Sequence, residues 1–238
     1  MIDVSLVAPC FNEQDNVEIL AERFLTCMTA AGISAEIVFV DDGSSDRTRD
    51  VILNLAGKNE MIRYEFHQQN QGIAVAWSTG ITSSRGKYVC LIDSDLQNPP
   101  EEVLKLYQTI ITEKCDFVQG IRVPFHRQPL NRRMISRGFN FILNFVFQMD
   151  AKDNKSGFVL ASTDCLQEVI KHKAVYRHFQ SFISISAEKR GFTICEVETQ
   201  FMNRLNGDSY LSGRTMHTIL VSFVDIYRAR KEFLKKRV

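Results

Sequence analysis

The segment YVCLIDSDLQNPPE, residues 88–101, decides how the rest of the chain is read. Tyr88–Ile92 is a short continuous apolar run, the pattern of a strand buried on both faces. It stops at two carboxylates, Asp93 and Asp95. Pro99 and Pro100 then open a helix, where proline is tolerated because first-turn N–H groups have no partner within the helix. A buried strand, an acidic turn and a helix form the repeating unit of a parallel α/β sheet.

The same unit recurs upstream. Val4–Ala8 reads as a strand, followed by a helix over Asn12–Ala31 with Val17, Leu20, Ala21, Phe24, Leu25 and Met28 on one side. Glu36–Val40 is a strand halted by Asp41, Asp42, Gly43 and Ser44, and a helix capped by Ser45 follows over Asp46–Leu55. Ile62–Phe66, Ile73–Ile81 and Asp116–Gly120 continue as strand, helix and strand. The expected fold is therefore α/β, a Rossmann-like, mainly parallel sheet with helices on both faces. Ligands bind such sheets beyond the carboxyl ends of the strands. Asp41 and Asp42, Asp93 and Asp95, and Arg122 are expected to converge there, beside the loop Pro9–Glu13.

After Arg122 the pattern loosens. Val123–Asn131 reads as a loop, Arg132–Met149 as a helix, Ala151–Gly157 as a polar turn and Phe158–Ala161 as a short strand. Leu166–His172 and Ser181–Arg190 are expected to be helical, Thr193–Phe201 a strand and Asn203–Ser209 a loop. Thr215–Val238 ends the sequence as an amphipathic helix with a basic end.

Composition narrows the class. The chain has 238 residues, 45% hydrophobic and 24% charged, ordinary values for a globular protein. The net charge of +1 argues against a dedicated nucleic-acid binder, but it conceals an asymmetry. Residues 1–120 carry 9 Lys and Arg against 18 Asp and Glu; residues 121–238 carry 20 against 10. The six cysteines are scattered without a C-x-x-C pair, which fits buried reduced thiols rather than a zinc site. The N-terminus has no signal-peptide pattern. The longest apolar stretch, Gly138–Met149, is interrupted by Asn140, Asn144 and Gln148 and is shorter than the roughly 20 residues that span a bilayer.

Several groups carry chemistry. Asp93 and Asp95, one residue apart at a strand end, suit a hard divalent cation, with Gln97 as a third oxygen. Asp41 and Asp42 exceed what a turn needs and are placed to accept from a base N–H or ribose hydroxyls. Arg122, Arg127, Arg132, Arg133, Arg137 and Arg204 are suited to phosphate. The first βα turn lacks G-x-G-x-x-G, which excludes a dinucleotide oxidoreductase of that type.

In these motifs the chain resembles family 2 glycosyltransferases of the GT-A fold, in particular the polyprenyl-phosphate sugar transferases. The resemblance rests on VAPCFNE (7–13), VDDGSSDRT (40–48), NQG (70–72), DSDLQNPPE (93–101), GIR (120–122), RRMISRG (132–138), SGF (156–158) and RLNGDSY (204–210). It implies an inverting transferase dependent on Mg²⁺ or Mn²⁺, with Asp93, Asp95 and Gln97 holding the metal on the donor diphosphate. Pro9, Phe11, Glu13, Asp41, Asp42, Asn70, Gly72, Asp93 and Ser94 would bind the nucleotide sugar, UDP favoured over GDP. Arg122, Arg132 and Ser136 would bind an acceptor lipid phosphate, and Arg204 would close over the phosphates. Two positions depart from the family pattern: Gln69 replaces a basic residue and Val159 an arginine.

The resemblance implies a GT-A domain over residues 1–210, split into a nucleotide-sugar half (1–120) and an acceptor half (121–210), with a basic helix over 211–238. A lipid monophosphate acceptor is already anionic, whereas a glycan hydroxyl, the rival acceptor, needs a carboxylate base. Asp153 is the candidate base; alternatively it orients Arg132 or Arg204. The helix from Arg132 would lie in the membrane interface. Phe139, Ile142 and Val146, with Phe141, Phe145 and Phe147 beside them, and the stripe Ile219, Phe223, Ile226 and Leu234 ahead of a basic tail, fit a protein peripheral to the cytosolic face of a membrane. A catalytically silent binding protein on the same fold is the remaining alternative.

Overall fold

The structure, a computed structural model, describes residues 1–123, 130–172, 176, 179–202 and 215–234, with residues 130–133, 135 and 215–222 described by their backbone. The strands are β1 (Val4–Cys10), β2 (Ala35–Asp41), β3 (Ile62–Phe66), β4 (Tyr88–Leu91), β5 (Phe117–Arg122), β6 (Val159–Ser162) and β7 (Ile194–Thr199). They form one sheet in the order β3-β2-β1-β4-β6-β5-β7. Within it β6 runs antiparallel to both neighbours, β4 and β5, and every other pairing is parallel. Six strands therefore end on one edge, and β6 starts there.

The helices are α1 (Val17–Ala30), α2 (Thr48–Lys58), α3 (Ile73–Ser83), α4 (Glu102–Glu113), α5 (Leu130–Phe147), α6 (Thr163–Val169), α7 (Ile183–Lys189) and α8 (Thr215–Phe233). Side-chain alternation along the strands splits the core in two. Leu6, Ala8, Ile37 and Phe39 pack with Phe24 and Met28 of α1 and Leu106 and Ile110 of α4. Val7, Val38 and Val40 face the other way, toward Trp77 of α3, Leu143 and Phe147 of α5 and Ile185 of α7. Burial on both faces explains why the central strands read as unbroken apolar runs.

The segment between β5 and β6 leaves and re-enters the sheet at the same edge. Three asparagines hold it. Asn140 and Asn144, one turn apart on α5, donate to the Ala151 carbonyl (2.8 and 2.9 Å). Asn154, fully buried, donates to Asn144 Oδ1 (2.6 Å) and Asn140 Oδ1 (3.1 Å). Two of the three residues that interrupt the apolar run, Asn140 and Asn144, thus attach α5 to the loop.

Several sequence boundaries shift for identifiable reasons. The first helix begins at Val17 rather than Asn12, because Asn12 takes a left-handed conformation (φ 57°) and its side chain accepts hydrogen bonds from the neighbouring loop. The second begins at Thr48, where Asp46 Oδ1, not Ser45, accepts from the Thr48 N–H (2.9 Å). Helix α5 starts two residues before Arg132. The expected helix at Leu166–His172 is α6, capped by Ser162 Oγ accepting from the Cys165 N–H. The one expected at Ser181–Arg190 is divided into a 3₁₀ turn, Phe179–Phe182, and α7. The expected apolar stripes also divide: on α8, Ile226 is buried while Phe223 and Leu234 are exposed, and on α5 Phe147 is buried while Phe141 and Phe145 are exposed.

Candidate functional site

Three loops meet beyond the carboxyl ends of β1, β2 and β3. The first two are laced together. The Asn12 N–H donates to Ser44 Oγ (2.9 Å), the Ser45 N–H to Asn12 Oδ1 (2.9 Å), the Glu13 N–H to Thr48 Oγ1 (2.9 Å) and the Arg47 N–H to Gln14 Oε1 (3.0 Å). The third loop is drawn in by Asp42. Its buried carboxylate contacts His67 Nδ1 (2.7 Å) and accepts from the Gln71 N–H (2.9 Å) and the Gly72 N–H (2.8 Å). The other ring nitrogen of His67 lies 3.0 Å from Thr79 Oγ1. Burying a carboxylate is costly unless its oxygens are given donors, and three converge here.

Asp41 is also buried; it accepts from the Ser44 N–H (3.2 Å) and lies 3.6 Å from Arg49 Nε. The Arg49 guanidinium sits 4.4 Å above the Phe66 ring. A cleft of ≈ 560 Å³, lined by Phe66, His67, Gln68, Gln69 and Gln71, adjoins these groups. Phe11 and Asn70 are exposed beside the loops, and Glu13 is half-buried, accepting from Asn16 Nδ2 (2.6 Å). Arg49 and His67 were missed from sequence. Their signal was position alone: each lies near a carboxylate pair or the NQG motif.

The turn after β4 carries Asp93, Ser94 and Asp95. Ser94 is buried, and its hydroxyl donates to the Pro9 carbonyl (2.7 Å), tying this turn to the end of β1. Leu96 has φ 60° with its side chain in the core, and the Gln97 N–H donates to Asp95 Oδ1 (3.0 Å). Asp93 and Asp95 stay partly exposed. Among the described residues no three His, Cys, Asp or Glu side chains gather into a metal cage. The thiol of neighbouring Cys10 is pushed up by burial and stays protonated. Hard oxygen donors in small number fit Mg²⁺ or Mn²⁺ held through one or two carboxylates and completed by substrate phosphates.

A second group of polar side chains is assembled by β5, α5 and the loop before β6. Arg122, the last residue of β5, donates from Nε and Nη2 to the two carboxylate oxygens of Asp153 (2.8 and 2.9 Å) and lies over the Phe201 ring (5.5 Å). Asp153 therefore orients Arg122, a partner absent from the sequence reading. Gln119 Nε2 fixes the same loop through the carbonyls of Asp153 (3.0 Å) and Ser156 (2.9 Å). Gly120 lets β5 approach β6: a Cβ there would lie 2.7 Å from Phe158 Cδ1. Lys155, not singled out from sequence, donates from Nζ to the Ser136 carbonyl (3.1 Å) and to Ser136 Oγ. Burial is the main reason its pKa falls to about 8; Asp153 opposes the shift and Arg122 adds to it.

Arg132 belongs to the first turn of α5, with its side chain outside the described residues, as are Arg127 and Arg204. The chain leading to Arg204 starts against the Asp95 turn, since the Met202 N–H donates to the Gln97 carbonyl (2.7 Å).

Residues 5–170 match the family described as Glycosyl transferase family 2. The chain is 29% identical over 235 residues to a dolichol-phosphate mannosyltransferase of Pyrococcus furiosus, covering 96% of this chain and 64% of that protein. It is 30% identical over 207 residues to an undecaprenyl-phosphate 4-deoxy-4-formamido-L-arabinose transferase of Edwardsiella ictaluri, covering 87% and 62%. It thus spans less than two thirds of the length of these relatives. Among solved structures, glucosyl-3-phosphoglycerate synthase of Mycobacterium tuberculosis, in complex with Mn²⁺, UDP and phosphoglyceric acid, superposes with a TM-score of 0.70. That match covers 96% of this chain and 78% of the other at 19% identity. The α/β GT-A architecture expected from sequence is the one observed.

Gly43 tests the interlocked loops. It has φ +74°, and a Cβ there would lie 2.6 Å and 2.7 Å from the carbonyl carbon and Cα of Gln69. Gly43→Ala is expected to lower unfolding free energy by about 1–3 kcal/mol in urea denaturation. An unchanged midpoint would show that the third loop does not need this approach.

Proposed function

Because the chain belongs to glycosyl transferase family 2, we propose that it transfers a sugar from a nucleotide donor, UDP-linked, to a polyprenyl phosphate, with inversion at the anomeric carbon. The observation that carries the choice of acceptor is the Arg122–Asp153 fork. A hydroxyl nucleophile needs a free carboxylate base within about 3 Å of its proton. The candidate for that role, Asp153, has both oxygens occupied by Arg122. A phosphate nucleophile needs no base, only cations and donors to place it, and Arg122 and Ser136 stand in that position.

On this reading the donor half, residues 1–120, holds the nucleoside at the cleft beside Asp41 and Arg49. Asp42 and His67 act one step back, by fixing the Gln68–Gly72 loop. Asp93 and Asp95, with the Gln97 amide oxygen, would hold a divalent cation, which would supply positive charge at the leaving diphosphate. Arg122, kept in one orientation by Asp153, presents its remaining N–H groups to the incoming phosphate oxygen. Arg132 and Arg204 add charge from α5 and from the segment after Met202.

The same reading places one face on a membrane. Met134, Phe141 and Phe145 of α5 are exposed, the two phenylalanines to 70% and 78%. Phe223, Val224 and Tyr227 of α8 are exposed as well, next to Arg228, Arg230 and Lys231. Among the described residues no helix is long and apolar enough to cross a bilayer. An apolar face with basic flanks suits the cytosolic surface of an anionic membrane, each basic side chain contributing about 1 kcal/mol.

Two measurements test the proposal. Incubation with radiolabelled UDP-sugars, Mn²⁺ and undecaprenyl phosphate is expected to give a butanol-extractable labelled lipid, reduced about 10²–10³-fold in Asp95→Ala. Label found only in a glycan, or no lipid product with any UDP- or GDP-linked donor, would refute it. In co-sedimentation with phosphatidylglycerol vesicles, Phe141→Asp with Phe145→Asp is expected to release the protein; unchanged binding would remove α5 from the membrane face.

A further inference from the structure

We propose that Lys155 is a direct ligand of the acceptor's phosphomonoester and that its charge selects an anionic nucleophile over a hydroxyl. The inference rests on the lipid-phosphate reading and extends it to a residue that no motif marked.

Arg122 and Asp153 form a paired cation and anion, with two guanidinium donors committed to the carboxylate. The pair adds no net charge to the edge. Lys155 supplies the net positive charge of the described cluster. Its ammonium contacts the carbonyl and the hydroxyl of Ser136, both neutral, and among the described residues no carboxylate forms an ion pair with it. An ammonium carries three N–H donors, so one remains for a ligand beside Ser136. Nearby, the first turn of α5 holds Arg132 and Arg133 and no acidic residue.

Energetics point the same way. Burial, opposed by Asp153 and assisted by the Arg122 charge, depresses the Lys155 pKa to about 8. An unfolded chain binds this proton more tightly than the folded one, so charging Lys155 opposes folding at pH 7, and that cost is relieved as pH rises from about 8 toward 10.5. A purely structural tether would not require a charge. The loop is already fastened to α5 by Asn140, Asn144 and Asn154 and to β5 by Gln119. A desolvated cation without a contacting anion, at a site that would receive one, is what a phosphate pocket requires.

The experiment compares the full chain with Lys155→Met and Lys155→Arg. Calorimetric binding of citronellyl phosphate and of citronellol is measured, together with binding of UDP with Mn²⁺ and thermal stability at pH 7. The wild-type protein is expected to bind the phosphate and not the alcohol. Lys155→Met is expected to weaken phosphate binding about tenfold or more, with UDP binding unchanged and a melting temperature no lower than wild type. Lys155→Arg is expected to bind the phosphate more tightly than Lys155→Met. Phosphate binding by Lys155→Met within about twofold of wild type would overturn the inference alone. So would a joint loss of stability and UDP binding in Lys155→Met with unchanged folding and no gain in phosphate affinity in Lys155→Arg. A wild-type protein that binds UDP but not citronellyl phosphate would overturn the lipid-phosphate reading and the inference with it.

Discussion

The bidentate contact between Arg122 and Asp153 joins the two ends of the segment that leaves β5 and returns as β6. In an otherwise parallel sheet, a connection normally crosses to the opposite edge before the next strand begins. Here it does not, and β6 runs backward as a consequence. The start of helix α5 and the loop 151–157 are therefore kept at the carboxyl edge, where the loops after β1, β2 and β4 also lie. A family 2 glycosyltransferase needs donor and acceptor to meet at one carbon atom, and under the proposed function this reversal is what keeps the residues proposed for the acceptor at the same sheet edge as those proposed for the donor.

The same arrangement gives meaning to the uneven distribution of charge. The acidic first half spends its carboxylates in different ways. Asp42 fixes a loop, Asp46 caps α2, and Asp93 and Asp95 remain partly exposed at the turn after β4. The basic second half places Arg122 and Lys155 at the edge and Arg228, Arg230 and Lys231 on the exposed side of α8. A net of +1 is thus the sum of two local excesses of opposite sign.

Much of this was legible in the amino-acid order. Strands buried on both faces write themselves as apolar runs, so β1, β2, β4 and β5 were found, together with the acidic turns that end β2 and β4. What was not legible were contacts between residues far apart in sequence. Asn12 reads as a helix start until its side chain is seen capping a loop more than thirty residues away. Nothing local to Asp42 reveals that His67, Gln71 and Gly72 supply its donors. Lys155 reads as a solvated turn residue, because nothing local reveals that Ser136 lies beside it. The apolar stripes of α5 and α8 were found, but periodicity could not say which half of each faces the core.

Under the proposed function, metal, donor and acceptor phosphate share one edge of the sheet. Anomalous diffraction from crystals grown with UDP, Mn²⁺ and citronellyl phosphate tests it most directly. Manganese is expected against Asp93 and Asp95, and the citronellyl phosphorus between Arg122, Ser136 and Lys155. Manganese bound away from that turn, or the phosphate on another face of the molecule, would contradict it.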